Sequence, residues 1–316
     1  MAAPTVYIPN LNGGKLLLDV LERLRAQTVR PSIVVVDNAS SDGSSADVQR
    51  FFPDVELLQL STNVGFGRAL NAAVERYPSD VLLFLNNDAL PEPTFVEALL
   101  DELAGGVEMV AGVLVQAENP QLIDSAGVVV DETLLAFDYL HGRPVELAET
   151  APAPLGPTGG AALVRLDTFS AAGGFDDRMF AYLEDVDLAL RARAGGARCG
   201  LAAAARAIHA HSATLGSGSA PKNALMGWSR GYMLRRYGVL REPRRAARAI
   251  AAEAVISAGQ ILLDRNASGA VGRIRGWRAA RGLPRRTAAG EALDLTLGQA
   301  LALRAQRRNH PLRRVW

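Results

Sequence analysis

Between residues 5 and 115 the chain alternates short apolar runs with amphipathic stretches. Residues 5–9 predict a strand and 14–27 an amphipathic helix. Ser32-Ile-Val-Val-Val-Asp37 is a continuous apolar run, as expected of a strand buried on both faces of a parallel sheet. A helix from about Ser44, a strand over 55–60, a helix over 67–77 and a second fully apolar strand over 81–86 follow. Residues 93–103, with proline near the start, predict a helix, and 107–115 a strand. The βαβαβαβ order implies an open α/β sheet, and such sheets bind ligands beyond the carboxyl ends of their strands. Polar residues collect there: Asp37-Asn-Ala-Ser-Ser-Asp-Gly-Ser44, Asn63-Val-Gly-Phe-Gly-Arg-Ala-Leu-Asn71 and Asn86-Asn-Asp-Ala89. Residues 116–180 are less regular. From about residue 240 the pattern reads as helices broken at Gly269, Gly276, Gly282-Leu-Pro284 and Gly290.

Composition narrows the class. The 316 residues are 49% hydrophobic, enough for one large domain or a domain with an appendage. The single cysteine, Cys199, excludes an intrachain disulfide, fits a reducing cytosol and reads as a small buried hydrophobe. The N-terminus shows no signal-peptide pattern, and no run approaches ~18 uninterrupted apolar residues, so no bilayer span is expected. Basic residues are nearly all arginine and alanine is abundant, the bias of a GC-rich bacterial genome. The net charge of +1 hides an asymmetry. Residues 235–316 hold 18 arginines against five acids, +13, which leaves −12 for the remainder. An acidic globule with a basic appendage suits nucleic acid or an anionic membrane surface. The appendage lacks an RNA-binding signature and aromatic interleaving, which ranks nucleic acid low. Its apolar residues among arginines are the composition of a helix lying on an anionic membrane, and equally of a packing or dimer element.

The chemistry-bearing candidates each admit an ordinary reading. Glu184, Asp185 and Asp187 open a predicted helix, where acids complement the helix dipole. Two adjacent carboxylates after the apolar Met179-Phe-Ala-Tyr-Leu183 would also sit at a pocket edge, where a carboxylate gains basicity. Asp37 can make an Asx turn and cap, or contact a nucleotide. Asp88 can serve a turn, or bind a divalent cation that bridges two phosphates. His209 and His211, two apart on a strand, face one way, an uncommon core pattern and a common metal or phosphate pattern. His141 and His310 read as surface residues. Asp187 and Arg191 read as an i, i+4 ion pair. G-x-G-x-x-G and G-x-x-x-x-G-K-[ST] are absent, which disfavours dinucleotide and P-loop sites.

In order, Val35-Val-Asp-Asn-Ala-Ser-Ser-Asp-Gly-Ser44, Asn63-Val-Gly-Phe-Gly67 with Asn71, Asn86-Asn-Asp88, Thr158-Gly-Gly-Ala161, Gly174-Phe-Asp176, Glu184-Asp-Val-Asp-Leu188, and His209 with Ser212-Ala-Thr214 resemble glycosyltransferase family 2. The likeness is to its bacterial rhamnosyltransferase-like subgroup and spans about residues 5–240. It implies an inverting enzyme on the GT-A fold, a Rossmann-like open mixed sheet over 1–237. The nucleotide-sugar half would be 1–115, the acceptor half 116–237, and 238–316 a helical basic extension. It further implies general-base catalysis by Asp185 with Glu184 beside it. Nucleotide-sugar contacts would come from Pro9, Asn12, Asp37, Asn38, Ser40, Asn63, Gly65, Arg68, Asn87, Asp88 and Gly160. Mg²⁺ or Mn²⁺ would be held by Asp88 and His209, with His211 the lesser candidate. Asn86 and Asn87 replace the first two acids of a full Asp triplet, which weakens the expected metal affinity. The implied partners are a nucleotide-sugar, dTDP-rhamnose above UDP-hexoses or UDP-galactofuranose, and a saccharide or polyprenyl-diphosphate-linked acceptor. The implied location is cytoplasmic, with peripheral contact at the inner face of the membrane and self-association through the C-terminal helices as further expectations. A nucleotidyltransferase of related fold, with Asn10-Leu-Asn-Gly-Gly-Lys15 as a faint phosphate loop, and a non-catalytic nucleotide-sugar-binding protein are the alternatives.

Overall fold

The apolar runs Val6–Ile8, Ile33–Val36 and Val81–Leu85 lie side by side in the sheet and are almost wholly buried. The structure is a computed structural model that describes residues 3–210 and 218–306. In chain order the strands are β1 (Thr5–Asn10), β2 (Ser32–Asp37), β3 (Glu56–Gln59), β4 (Val81–Leu85), β5 (Ala89–Pro91), β6 (Met109–Gln116), β7 (Asn119–Ser125), β8 (Val128–Val130), β9 (Ala136–Asp138), β10 (Ala161–Arg165) and β11 (Cys199–His209). The helices are α1 (Gly14–Arg25), α2 (Ser44–Phe51), α3 (Phe66–Arg76), α4 (Phe95–Ala104), α5 (Leu166–Ala171), α6 (Glu184–Ala194), α7 (Ala220–Arg236), α8 (Pro243–Leu263), α9 (Ser268–Ala279) and α10 (Leu297–Gln306).

The sheet runs β3-β2-β1-β4-β10-β6-β11-β5, with β7 added to β6. The first four strands are parallel, as the βαβ order requires, while β10 and β5 run antiparallel to their neighbours and make the sheet mixed. The three-residue β5 carries too little pattern to be read as a strand in sequence. Leu17, Val20, Leu21 and Leu24 of α1 pack one face with Phe95 and Leu99 of α4. Leu70 and Val74 of α3, Phe169 of α5 and Leu188 of α6 pack the other.

The chain divides into two compact units, Met1–Val128 with Asp138–Gly216, and Val129–Phe137 with Ser217–Trp316. In the second unit α7 lies against α9 with almost no space between their backbones. A Cβ on Gly272 would overlap the Ala224 carbonyl and one on Gly276 the Trp228 carbonyl. Gly276 therefore does not break a helix, as its sequence pattern suggests, whereas Gly269 opens α9 just past the break after α8. Gly276 lies within α9, where the cost of glycine in a helix, about 1 kcal/mol, accompanies close helix contact. Because α7 packs here, this unit begins before residue 238.

α8 is long and apolar enough to cross a membrane, by length and composition only. Glu253, Ser257, Gly259 and Gln260 interrupt its apolar run, and from Ala249 to Leu263 its only charged residue is Glu253.

Candidate active site

The polar residues that end the parallel strands form one connected network. Asn10, the last residue of β1, is 1% exposed. Its Nδ2 donates to Asp37 Oδ1 (3.3 Å), Ser40 Oγ (3.1 Å) and Ser44 Oγ (2.9 Å). Its Oδ1 accepts from the Gly13 N–H (3.1 Å) and from Asn87 Nδ2 (2.9 Å). Asn10 thus ties the ends of β1 and β2 to the turn after β4. It is absent from the sequence-derived set, although it carries the same signal as Asp37, a polar residue closing an apolar strand. Asp37 is 4% exposed and also accepts from the Ser40 N–H at 3.3 Å. Asn12 accepts from the Ser41 N–H (2.8 Å), and its own N–H donates to Ser40 Oγ (2.9 Å). Asp42 Oδ1 accepts from the Ser44 N–H (3.0 Å) and Ser44 Oγ (2.6 Å), and its Oδ2 from the Gly14 N–H (2.9 Å). Burial opposes its charge, but these bonds outweigh burial and lower its pKa.

The Asn63–Gly65 segment is braced from two sides. Asn38 Oδ1 accepts from the Val64 N–H (2.8 Å) and its Nδ2 donates to the Gly65 carbonyl (3.1 Å). Asn63 Oδ1 accepts from the Gly65 N–H (3.0 Å). Gly65 has φ +93°, and a Cβ there would overlap the Phe180 carbonyl, which accepts from the Phe66 N–H at 2.7 Å. Asn71 holds the next turn of the same loop, donating to the Phe175 carbonyl (2.9 Å) and accepting from the Phe175 N–H (3.0 Å). Arg68 and Asn63 are exposed, and Pro9 is half-buried.

Beyond Phe180 the backbone enters the left-handed region twice in succession, at Tyr182 (φ 69°) and Leu183 (φ 67°). For residues with a Cβ each costs of order 1–2 kcal/mol. The strained pair delivers Glu184 and Asp185 into the first turn of α6. Asp185 Oδ2 accepts from the Gly159 N–H (3.0 Å) and Thr158 Oγ1 (3.4 Å), and Oδ1 from the Val186 N–H (2.8 Å). Burial raises its pKa although these donors pull the other way. Glu184 is 6% exposed, and its Oε2 has no hydrogen-bond partner among the described residues. Burial first, then the neighbouring Asp185 and Asp187 charges, push its carboxyl up to about 8. The two acids therefore differ: Asp185 is half-exposed with donors on both oxygens, whereas Glu184 is buried with its Oε2 unpartnered. Asp187, fully buried, pairs with Arg191 Nε at 2.9 Å.

On the metal side, His209 ends β11 beside Ala89 of β5 and Gln116 of β6. Its Nε2 lies 3.3 Å from Asp88 Oδ1, and its Nδ1 lies 2.7 Å from Asp124 Oδ2. Burial opposes a charged imidazole, but the bonds to Asp124 and Asp88 prevail and push His209 up to about 10. His141, expected at the surface, is half-buried, and its Nδ1 donates to the Asp124 carbonyl at 2.7 Å. Asp124 and His141 join the cluster only through tertiary structure, 85 and 68 residues from His209, and no sequence signal marks them. Asp88 and His209 face one another; Mg²⁺ or Mn²⁺ would take the Asp88 carboxylate alongside phosphate oxygens and water, and the His209 Nε2 once the imidazole has given up its proton. No group of three or more His, Cys, Asp or Glu among the described residues could hold a metal alone, so the remaining ligands would come from substrate. His211 and His310 lie outside the described residues. Cys199 is buried within the sheet, and burial pushes its thiol up to about 12.

Gly160 joins the two halves. The Asn86 N–H donates to the Gly160 carbonyl (3.2 Å), one residue after Gly159 donates to Asp185.

Residues 5–125 match the model of Glycosyl transferase family 2. The chain is 32% identical over 200 residues to an N-acetylglucosaminyl-diphospho-decaprenol L-rhamnosyltransferase of Mycobacterium tuberculosis, covering 53% of this chain and 63% of that protein. The chain thus spans less than two thirds of that relative's length. Among solved structures it is similar to a mannosyltransferase, PcManGT of Pyrobaculum calidifontis, in complex with GDP-Man and Mn²⁺ (TM-score 0.53, 20% identity, 100% of this chain and 84% of that one). It is also similar to GalNAc-T7 with UDP, GalNAc and Mn²⁺ (TM-score 0.62, 12% identity, 98% of this chain and 58% of that one). The strands that carry Asn10, Asp37 and Asp88 are those the family model spans, and the chain shares the GT-A fold of these solved structures.

Proposed function

We propose that this chain is an inverting glycosyltransferase that moves L-rhamnose from dTDP-rhamnose to a polyprenyl-diphosphate-linked saccharide, in the cytoplasm, in bacterial cell-wall or polysaccharide synthesis. The Gly159–Gly160 junction carries the mechanistic part. One N–H orients Asp185, and the adjacent carbonyl anchors the turn that bears Asp88. A base and a diphosphate site on one backbone segment are what a single displacement at an anomeric carbon needs. Rhamnose and the lipid-linked acceptor rest on the mycobacterial relative and on the motif resemblance.

Asp37, with Asn10 and Ser40 fixing its carboxylate, would contact the nucleobase. Asn63 and Arg68 would face the nucleotide. Asp88 and His209 would hold Mg²⁺ or Mn²⁺, which when bound supplies positive charge against the leaving diphosphate. Asp185 takes the proton from the acceptor hydroxyl as that oxygen bonds to the anomeric carbon from the face opposite the diphosphate. The bond to the diphosphate breaks, the nucleoside diphosphate leaves, and configuration inverts. Glu184 stays protonated near neutral pH, so Asp185 is the base of the pair.

The test is turnover with a panel of dTDP-rhamnose, UDP-hexoses and UDP-galactofuranose on a short-chain polyprenyl-diphosphate N-acetylglucosamine, with product configuration read by NMR. Release of dTDP coupled to an inverted rhamnoside is expected. Retained configuration would overturn the mechanism, and turnover with a UDP-sugar alone would overturn the donor assignment.

A further inference from the structure

Eight of the eleven exposed large apolar side chains among the described residues lie in the second unit. The outward side of α8 carries most of them: Ile250 (60% exposed), Val255, Ile261, Leu262 (76%) and Leu263. Exposed Ala247, Ala254 and Ala258 fill the gaps on that side. Ile274 of α9 is a further exposed apolar residue of the same unit.

The inward side of α8 is fully committed. Glu253 accepts from Arg230 Nε (2.6 Å) and Arg273 Nε (2.5 Å), and these two guanidinium groups hold its carboxyl down at about 2 although burial alone would raise it. Gln260 donates to Asn223 and accepts from Arg273. Arg230 also donates to the Thr133 and Leu134 carbonyls, and Arg248 pairs with Asp131 and Glu132. A helix whose one side is an ion-pair network cannot cross hydrocarbon without stripping that network. It can lie flat, its apolar side down.

The charge around this side names the occupant. Arg244 and Arg245 are exposed at the start of α8, Arg265 just past its end, and Arg275 and Arg278 on α9. We infer that the outward side of α8 docks onto an anionic phospholipid surface, with Ile250, Ile261 and Leu262 inserted at the headgroup boundary and the flanking arginines on lipid phosphates. Self-association through this side would set arginine clusters of two copies against each other, whereas an anionic bilayer answers both the apolar and the basic features. The inference is independent of the donor and acceptor assigned above.

The experiment is co-sedimentation of the full chain with phosphatidylglycerol-containing vesicles and with pure phosphatidylcholine vesicles, at low and high salt. Analytical ultracentrifugation without lipid runs in parallel. Binding should require the anionic lipid, weaken with salt, and fall at least about tenfold in Ile250→Ser/Leu262→Ser. Both side chains are exposed, so the variant should keep the wild-type melting temperature. Failure of the wild type to sediment with anionic vesicles at low salt overturns the inference. So does binding that ignores the double substitution, which would mark charge attraction alone. A dimer in ultracentrifugation that dissociates in the double variant, without vesicle binding, would assign the surface to a second copy.

Discussion

Asp185 Oδ2 accepts a hydrogen bond from the Gly159 main-chain N–H at 3.0 Å. A backbone donor on a carboxylate fixes its direction without neutralising it, because an N–H gives the carboxylate a hydrogen bond and not a proton. Thr158 Oγ1, at 3.4 Å from the same oxygen, adds a weaker second donor. The Asp185 carboxylate is therefore oriented by the segment that also anchors Asn86.

Asp185→Asn can keep the Gly159 and Thr158 bonds through its single carbonyl oxygen, gives up the bond from the Val186 N–H, and removes the basicity. Turnover should fall by about 10²–10⁴ while the Kd for nucleoside diphosphate stays within about twofold. Steady-state kinetics and calorimetric binding together check this. A variant that keeps a tenth of wild-type kcat would exclude Asp185 as the base.

Gly65→Ala should be costly twice over, through a positive φ and through overlap with the Phe180 carbonyl. Urea denaturation should show a loss of about 1–3 kcal/mol. Because that carbonyl belongs to the loop that leads into α6, kcat should fall more than donor affinity. Equal stability and unchanged kcat would show that the loop has room to shift.

The Glu184 carboxyl, normally 4.5, stands at about 8 in the fold. Between those values the folded chain keeps a proton that the unfolded chain gives up, so stability drains as pH rises from 4.5 and the loss is complete near 8. Below 4.5 both states are protonated and nothing is lost. Glu184→Gln removes the linkage. Its melting temperature should match the wild type near pH 4.5 and exceed it by several degrees at pH 8.5, a difference of at most a few kcal/mol. Parallel melting curves across this range would mean that Glu184 ionises freely in the fold.

Asp124→Asn should disturb His209 without touching Asp88. Weakening the Nδ1 partner of an imidazole commonly costs 10–100-fold in metal affinity. The Kd for Mn²⁺ in the presence of nucleoside diphosphate, read by electron paramagnetic resonance, should rise by that factor, while nucleoside diphosphate binding without metal stays constant. Unchanged Mn²⁺ affinity would make Asp124 a purely structural partner.

The parallel half of the sheet was legible in the chain because burial on both faces demands unbroken apolar runs, and Ile33–Val36 and Val81–Leu85 supply them. Asp37, Asp88, Asp185 and His209 could be named because polar residues that end such runs, or acids that open a helix, stand out locally. Tertiary structure alone supplied the rest. Asp124 and His141 meet His209 only because β11 joins β6 from far along the chain; β7 follows β6 as a local hairpin, but no local pattern encodes the β6–β11 pairing. Gly276 reads as a helix break because propensity is local, and it stays helical against α7 because close backbone packing is not. The apolar side of α8 followed the same rule. Its composition was visible from the start, but which residues faced outward was decided when Glu253 turned inward to Arg230 and Arg273.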